Sequence, residues 1–447
     1  MKQQSGLEPV RGLFQNRLLS PHKVGCQQRV AKNMKICFVV GTFPSLSETF
    51  ILNQITGLLD QGHYLRIYAG ARSSDLIVHE DVIRSGLLSH VRFFNEMPKF
   101  WLARILRFLV LFLVTLLQAP VPALRSLNIR RYGQEALSLR LFFRMQSFLA
   151  IRDHDIVYCH SWQDMLTVIQ MKEIGAITGR LVSALRGDDI PLGGDGKVLK
   201  VSSKIFSRVS LFLPASRFSE ERLLESGCPA KKIRVHRAGV DLSCFGGATR
   251  KRFGTVPLRI LSVACLVEKK GIACALEAVG KLVRDGIVCE YTIIGDGPLR
   301  DQLRVLAGRE KILDCVRFAG WQDSGSIHRY LKDADLFLAP GLLSLNDDED
   351  GIPVVLMEAM ASGVPVVTTR SGGIRELVED RKTGFLVNSS DPLALRDGLR
   401  LVWQNPALAQ TVAAQAREII ERQYNMRKLN EELINLLMAV AYEKYEE

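Results

Sequence analysis

At 447 residues the chain is too long for one ordinary core, and two α/β domains are the natural expectation. It is 47% hydrophobic and 24% charged, the composition of a soluble globular protein, with no low-complexity tract. Its nine cysteines form no CxxC pair and have no histidine at metal-site spacing, which excludes a disulfide framework and a structural zinc and suits a reducing compartment.

The net charge of +12 is concentrated early: Lys2, Arg11, Arg17, Lys23, Arg29, Lys32 and Lys35 stand against Glu8 alone. Such a surplus favours anionic partners, whether membrane lipid, nucleotide phosphate or nucleic acid, although a solvated basic tail accounts for it equally well. Residues 1–33 show no periodicity and no apolar stretch suited to a signal peptide. They are expected to form a disordered extension, or to precede a natural start at Met34.

From Met34 short apolar runs alternate with helical ones. Lys35–Val40 is a buried strand, Phe50–Leu59 a helix stopped by Gly62, and Leu65–Ala69 the next strand. Further strands are expected at Ile156–Cys159, Leu181–Ala184, Leu211–Pro214 and Ile233–His236. GGATRKRFGTVP, after Phe245, reads as a linker. A second series follows at Arg259–Val263, Tyr291–Ile294, Val316–Phe318, Leu336–Leu338 and Val364–Thr368, with amphipathic helices over about 393–445. Near-continuous apolar strands between helices imply parallel sheets covered on both faces. The expected fold is therefore two doubly wound domains, about 34–250 and 257–420, with a last helix over 421–447 packing back on the first. Ligand is expected between them, at the carboxyl ends of the strands.

Phe100–Leu117 breaks the rhythm. It is strongly apolar but carries Arg104 and Arg107, and its uninterrupted apolar part is too short to span a bilayer. A helix lying in a membrane interface, with Trp101 and the arginines at headgroup level, fits the pattern; a buried helix of the first domain is the alternative.

Several strand ends gather polar groups. Gly41 opens a run to Thr49 in which Ser45 and Glu48 have capping-box spacing, so that helix start can hold an anion. Arg186-Gly187-Asp188-Asp189 follows a strand, and a turn with solvated acids explains it as well. Lys270-Gly271 sits beside a strand-to-helix turn, where a lysine can neutralise phosphate. Gly295-Asp296-Gly297-Pro298 closes another strand; its glycines allow a tight turn or close ligand approach, and Pro298 is expected to be the first helical residue. In Asp350-Gly-Ile-Pro-Val-Val-Leu-Met-Glu358, a loop ending at Pro353 would set Asp350 at a helix mouth and Glu358 on its body, although Asp350 also ends an acidic run that reads as a solvated loop. Gly372 and Gly373, followed by Ile374, expose adjacent N–H groups at a helix start to a diphosphate.

Taken together these motifs resemble the retaining GT-B glycosyltransferases of family 4 (glycosyl transferases group 1), from about Met34 to the C-terminal helix. FPSLSETFILNQITGLLDQGH is similar to the opening of exopolysaccharide and colanic-acid-type members, and PASRFSEERLLESGCPAKKIRVHRAGVDLSCF to the end of their first domain. VEKKG, IIGDGPL and the Asp350–Glu358 pair resemble the second domain. The resemblance implies sugar transfer from a nucleotide diphosphate to a hydroxyl with retention. It sets Lys270 and the Gly372–Gly373 backbone on the donor diphosphate, Glu358 on the ribose, Asp350 on the donor sugar, and Gly41 near the diphosphate. Two positions depart from the family: Arg186 stands where a histidine is usual, and Cys265 where an arginine is usual. A thiol cannot replace a guanidinium's charge. Arg186 and Arg375 are candidate substitutes.

The expected partners are a nucleotide sugar, a glycan or lipid-linked acceptor and an anionic membrane surface, with no nucleic acid. No cofactor or metal is expected, and the location is the cytoplasm, peripheral on the inner membrane face. A catalytically degenerate sugar-nucleotide binder and a sugar-nucleotide epimerase or hydrolase remain the alternatives.

Overall fold

The computed structural model describes residues 33–442 except 45–48, 73–81, 83, 95–96, 186–188, 191–197, 246–255, 343–351 and 371. The expected disorder of residues 1–33 and the Ser45–Glu48 capping box thus fall outside the described residues, Asn33 apart.

Two six-stranded parallel sheets organise the chain, in the orders β3-β2-β1-β4-β5-β6 and β12-β11-β10-β7-β8-β9. The first comprises β1 (Lys35–Phe43), β2 (Tyr64–Arg72), β3 (Val91–Phe93), β4 (Ile156–Cys159), β5 (Arg180–Leu185) and β6 (Leu211–Pro214). The second comprises β7 (Leu258–Val263), β8 (Cys289–Ile294), β9 (Val316–Gly320), β10 (Leu336–Ala339), β11 (Val366–Thr369) and β12 (Phe385–Val387). Each is the doubly wound order, whose switch point falls between its first and fourth strands: β1 beside β4, with Ile36 opposite Ile156, and β7 beside β10, with Ile260 opposite Leu336.

The strand KICFVV shows why the runs are apolar throughout. Cys37 and Val39 enter one hydrophobic cluster, while Ile36, Phe38 and Val40 enter another on the opposite face. With both faces covered, alternation has no polar side to reveal. The second sheet repeats this: Leu258 and Ile260 face one cluster, Leu261 the other.

The helices used below are α1 (Thr49–Asp60), α2 (Trp101–Gln118), α3 (Pro120–Ser126), α4 (Arg140–Phe148), α5 (Trp162–Ile174), α6 (Arg217–Glu225), α7 (Ile272–Arg284), α8 (Arg300–Arg309), α9 (Ser324–Asp333), α10 (Val354–Ala361), α11 (Ile374–Leu377), α12 (Pro392–Gln404), α13 (Pro406–Gln423) and α14 (Met426–Tyr442). The expected amphipathic run near 393–445 is thus three helices, broken where Pro406 restarts the chain at a first helical position and again at Asn425. Ala416 and Ile420 of α13 pack into the second sheet's core, whereas Leu433, Leu437 and Val440 of α14 pack into the first's.

Other expectations need correction. Ile233–His236 is not a strand: Ile233 makes one isolated bridge to Phe212, and the backbone N–H groups of Arg234 and His236 donate to Phe212 and Pro214 without a continuing ladder. The first strand does not end at Val40 but runs on to Phe43. Pro298 is not helical; α8 begins at Arg300, because the Gly297 carbonyl accepts from Arg300 N and closes a turn first. The helix Trp101–Gln118 is not a buried core helix, since 6% of it is buried.

Candidate functional site

The carboxyl edge of the second sheet is assembled from loops stitched by backbone hydrogen bonds. Ala264 N donates to Ile294 O at 3.0 Å and Leu266 N to Asp296 O at 2.9 Å, binding the loop after β7 to the loop after β8. Leu342 N donates to Lys269 O at 2.9 Å, which ties the loop after β10 to the same place. Thr368 Oγ1 donates to Ala339 O, and Thr369 Oγ1 to Gly341 O, which brings in β11. Four strand ends therefore meet, two of them flanking the switch point.

Glycine is needed where these loops touch. Gly271 has φ +66°, and a Cβ there would collide with the Pro340 carbonyl. Gly295 has φ +124°, and its Cβ would collide with the Ala264 carbonyl. Both close approaches join backbone to backbone, so the glycines set the shape of the edge whatever else they do. Gly295 also donates its N–H to Gly320 O at 2.9 Å.

Lys270 ends a short turn, Glu268–Lys270, with its N–H on Val267 O at 3.1 Å; it is half-buried and stands immediately before α7. Asp296 is engaged locally: Oδ1 accepts from Gly297 N at 2.8 Å and Oδ2 from Arg300 Nη1 at 2.6 Å. Gly372 and Gly373 lead into the four-residue helix α11, while the side chain of Ile374 is buried in the second core, leaving only its backbone to a ligand. Arg375 is exposed, with Nη2 3.3 Å from Arg370 O.

Glu358 lies just over one turn into α10, the helix that follows β10. Part of its surface stays open, yet the protein encloses it closely enough that burial pushes its carboxyl up to about 7. At neutral pH it is poised between an acceptor-only carboxylate and a carboxylic acid that can donate. Gly41, in the other sheet, is exposed near the end of β1, and a Cβ there would meet nothing within 4 Å, so local packing does not explain that glycine. Asp350 and Arg186 lie outside the described residues. Among the described residues, no group of three or more His, Cys, Asp or Glu is arranged to hold a metal ion.

The structure thus brings Lys270, Gly295, Asp296, Gly297, Gly372, Gly373 and Ile374 to one sheet edge, with Glu358 on the helix that leaves it. Cys265 is half-buried in the same loop as Lys270. Sequence reasoning missed Glu376. Its Oε1 accepts from Phe218 N, at the start of α6, at 2.9 Å, and its Oε2 lies 3.7 Å from Arg237 Nη2. This contact fastens α11, directly beyond the glycine pair, to the first half of the chain. Its partner is 158 residues away, and no local pattern signals it.

Residues 250–419 match the family model described as "Glycosyl transferases group 1". The chain is 35% identical over 416 residues to a putative colanic acid biosynthesis glycosyltransferase of Salmonella typhimurium, covering 91% of this chain and 100% of that one. It is 34% identical over 413 residues to the amylovoran biosynthesis glycosyltransferase of Erwinia amylovora, with the same coverage. Among solved structures it is similar to the Anabaena protein HepE in complex with UDP and glucose, at TM-score 0.65 and 18% identity, over 91% of this chain and 100% of that one. The fold shared with that structure is the two-sheet GT-B arrangement.

Proposed function

The chain belongs to the glycosyl transferases group 1 family and is a glycosyltransferase of exopolysaccharide biosynthesis, and from that premise we propose that it moves a sugar from a nucleotide-diphosphate donor to an acceptor hydroxyl with retention. The observation that carries the donor assignment is the carboxyl edge of the second sheet. There Lys270 stands before α7 beside backbone brought close by Gly271 and Gly295. The UDP and glucose held by the Anabaena structure of this fold agree with that choice of ligand.

In this reading the bond from the anomeric carbon to the donor diphosphate breaks, and a new bond forms from that carbon to the acceptor oxygen. The acceptor's proton passes to an oxygen of the departing diphosphate on the same face, so no carboxylate pair is required. Lys270, the N-terminus of α7 and the Gly372–Gly373 backbone neutralise the charge that develops on the leaving group. With those charges supplied by the protein, the reaction needs no cofactor or metal ion, and EDTA leaves turnover unchanged. Glu358 accepts hydrogen bonds from the ribose hydroxyls, and Asp350 and Arg186 face the donor sugar. The acceptor is a glycan or lipid-linked saccharide, and the enzyme works in the cytoplasm.

A second reading, a donor-binding relative without turnover, is favoured by Cys265, since a thiol at this edge supplies none of a guanidinium's charge. Incubation with UDP- and GDP-sugars, with and without a membrane lipid extract, separates the readings. Glycosylated lipid or glycan establishes transfer; free or epimerised sugar, or binding without product, overturns it.

A further inference from the structure

Between β3 and β4 the chain leaves the alternation of strand and helix, and α2 is its most unusual part. Leu102, Leu106, Leu109, Val110, Leu113 and Leu117 recur at helical spacing along one side, and all are exposed, Leu117 at 88%. On the other side Phe108, Leu111 and Phe112 pack into the first core, with Phe108 edge-on to Phe142 at 4.9 Å. Thr115 is buried on that side, where its hydroxyl donates to Leu111 O and accepts from Gln146 Nε2 of α4, each at 2.6 Å. One face of the helix is therefore fixed to the protein, and the other is a leucine-rich surface turned outward. An apolar face of this size on a folded chain marks an interaction surface.

The charge around it selects the partner. Residues 97–150 carry eight lysines and arginines against the single acid Glu135. Lys99, Arg107, Arg125 and Arg130 are exposed. Arg104 is used internally, donating to the Pro98 and Ser138 carbonyls, which corrects the expectation that both helix arginines reach headgroups. A second copy of the chain in a twofold contact would set this basic region against itself, which is repulsive. Anionic lipid headgroups would neutralise it while the leucines enter the acyl boundary. By length and composition alone α2 could cross a membrane. Its one face committed to the protein core argues that it lies along the surface instead.

We propose that the outer face of α2 seats this protein on the surface of an anionic lipid bilayer, with Trp101 at the interface and the surrounding lysines and arginines against lipid phosphates. The proposal is independent of the donor assignment, because it rests on a different face and is read by binding rather than turnover.

The test is flotation of the full chain with vesicles of phosphatidylcholine mixed with phosphatidylglycerol at low salt, compared with pure phosphatidylcholine vesicles and with the double variant Leu106→Glu/Leu113→Glu. The wild type floats with the anionic vesicles and far less with the neutral ones, and salt weakens the binding. The double variant loses about tenfold or more of the binding while its thermal unfolding is unchanged, because both side chains are already in solvent. Three results overturn the proposal: a wild type that stays unbound at low salt, a variant that floats as well as the wild type, or a wild-type dimer that the double variant dissociates without any flotation. The last assigns the face to a second copy of the chain.

Discussion

The two sheets share one strand order and differ in how the third strand is joined to the fourth. In the second sheet β9 reaches β10 through residues 321–335, a single short helix, α9, and little else. In the first sheet β3 reaches β4 through residues 94–155, which hold α2, α3 and α4 and show an apolar, basic surface to solvent. The difference continues at the carboxyl edges. The edge of the second sheet is pinned by backbone hydrogen bonds and by glycines without room for a Cβ, whereas a Cβ on Gly41 of the first would meet nothing within 4 Å, although the Gly41 carbonyl itself lies against Gly70. The same scaffold has been tightened at one pole and elaborated at the other. On the proposed function the tightened pole places backbone N–H groups against a diphosphate and tolerates little variation, while the elaborated one, on the proposed lipid contact, needs area and charge more than close fit.

That comparison can be broken or sharpened by mutation. The largest effect is expected from Lys270→Ala, which on the proposed mechanism removes a charge facing the leaving group and should lower kcat by about 10²–10³ while circular dichroism and unfolding stay unchanged. Gly295→Ala should cost about 2–4 kcal/mol in chemical denaturation, since it adds both positive-φ strain and a backbone collision. The same substitution at Gly41, where nothing lies within 4 Å, should cost less than about 0.5 kcal/mol. Equal losses at the two glycines would remove the contrast between a tight and an open edge.

If Glu358 holds the ribose as proposed, Glu358→Gln should weaken donor binding about tenfold in calorimetry, through poorer acceptance from its hydroxyls. Its pH signature follows from linkage. The carboxyl ordinarily titrates at 4.5 and is raised to about 7 in the folded protein, so the folded state holds the proton more tightly. The contribution of Glu358 to the stability of the empty protein therefore falls as pH rises from 4.5 through 7, against the opposite trend of buried His236, so the stability difference between wild type and Glu358→Gln should change across that window. Donor binding, which uses the ionised form, should weaken in the wild type as pH drops below about 7. A modest effect belongs to Glu376→Gln, which keeps a hydrogen bond to Phe218 N but loses the charge toward Arg237; a cost of about 0.5–1 kcal/mol is expected in thermal unfolding.

Much of this organisation is legible in the amino-acid order because buried parallel strands announce themselves. Ile156–Cys159 and Leu211–Pro214 can be read to the residue, since each is a short run buried on both faces. Val91–Phe93 and Phe385–Val387 cannot, because three residues at a sheet edge are too few to show a period. Ile233–His236 misleads because an apolar β-branched residue needs a ladder as well as a propensity, and only one bridge forms there. At the site, Gly271, Gly295 and Gly297 are visible as turn residues, and the structure supplies the reason for all three in the carbonyls they face. Asp296 reads as a ligand residue by its place between glycines, yet in the structure it caps Gly297 N and pairs with Arg300. Glu376 is invisible in sequence because its role depends on α6, which arrives from the other sheet. Position along the chain thus reveals which loops line the edge, and only folding reveals which of their polar groups are already occupied.

The most direct test of the central claim is amide hydrogen exchange on the full chain, with and without saturating nucleoside diphosphate. The account predicts protection concentrated at residues 264–271, 295–300, 340–342 and 368–374, with little change in α2. Protection confined to the first sheet, or none in those four loops while the nucleotide is bound, would contradict it.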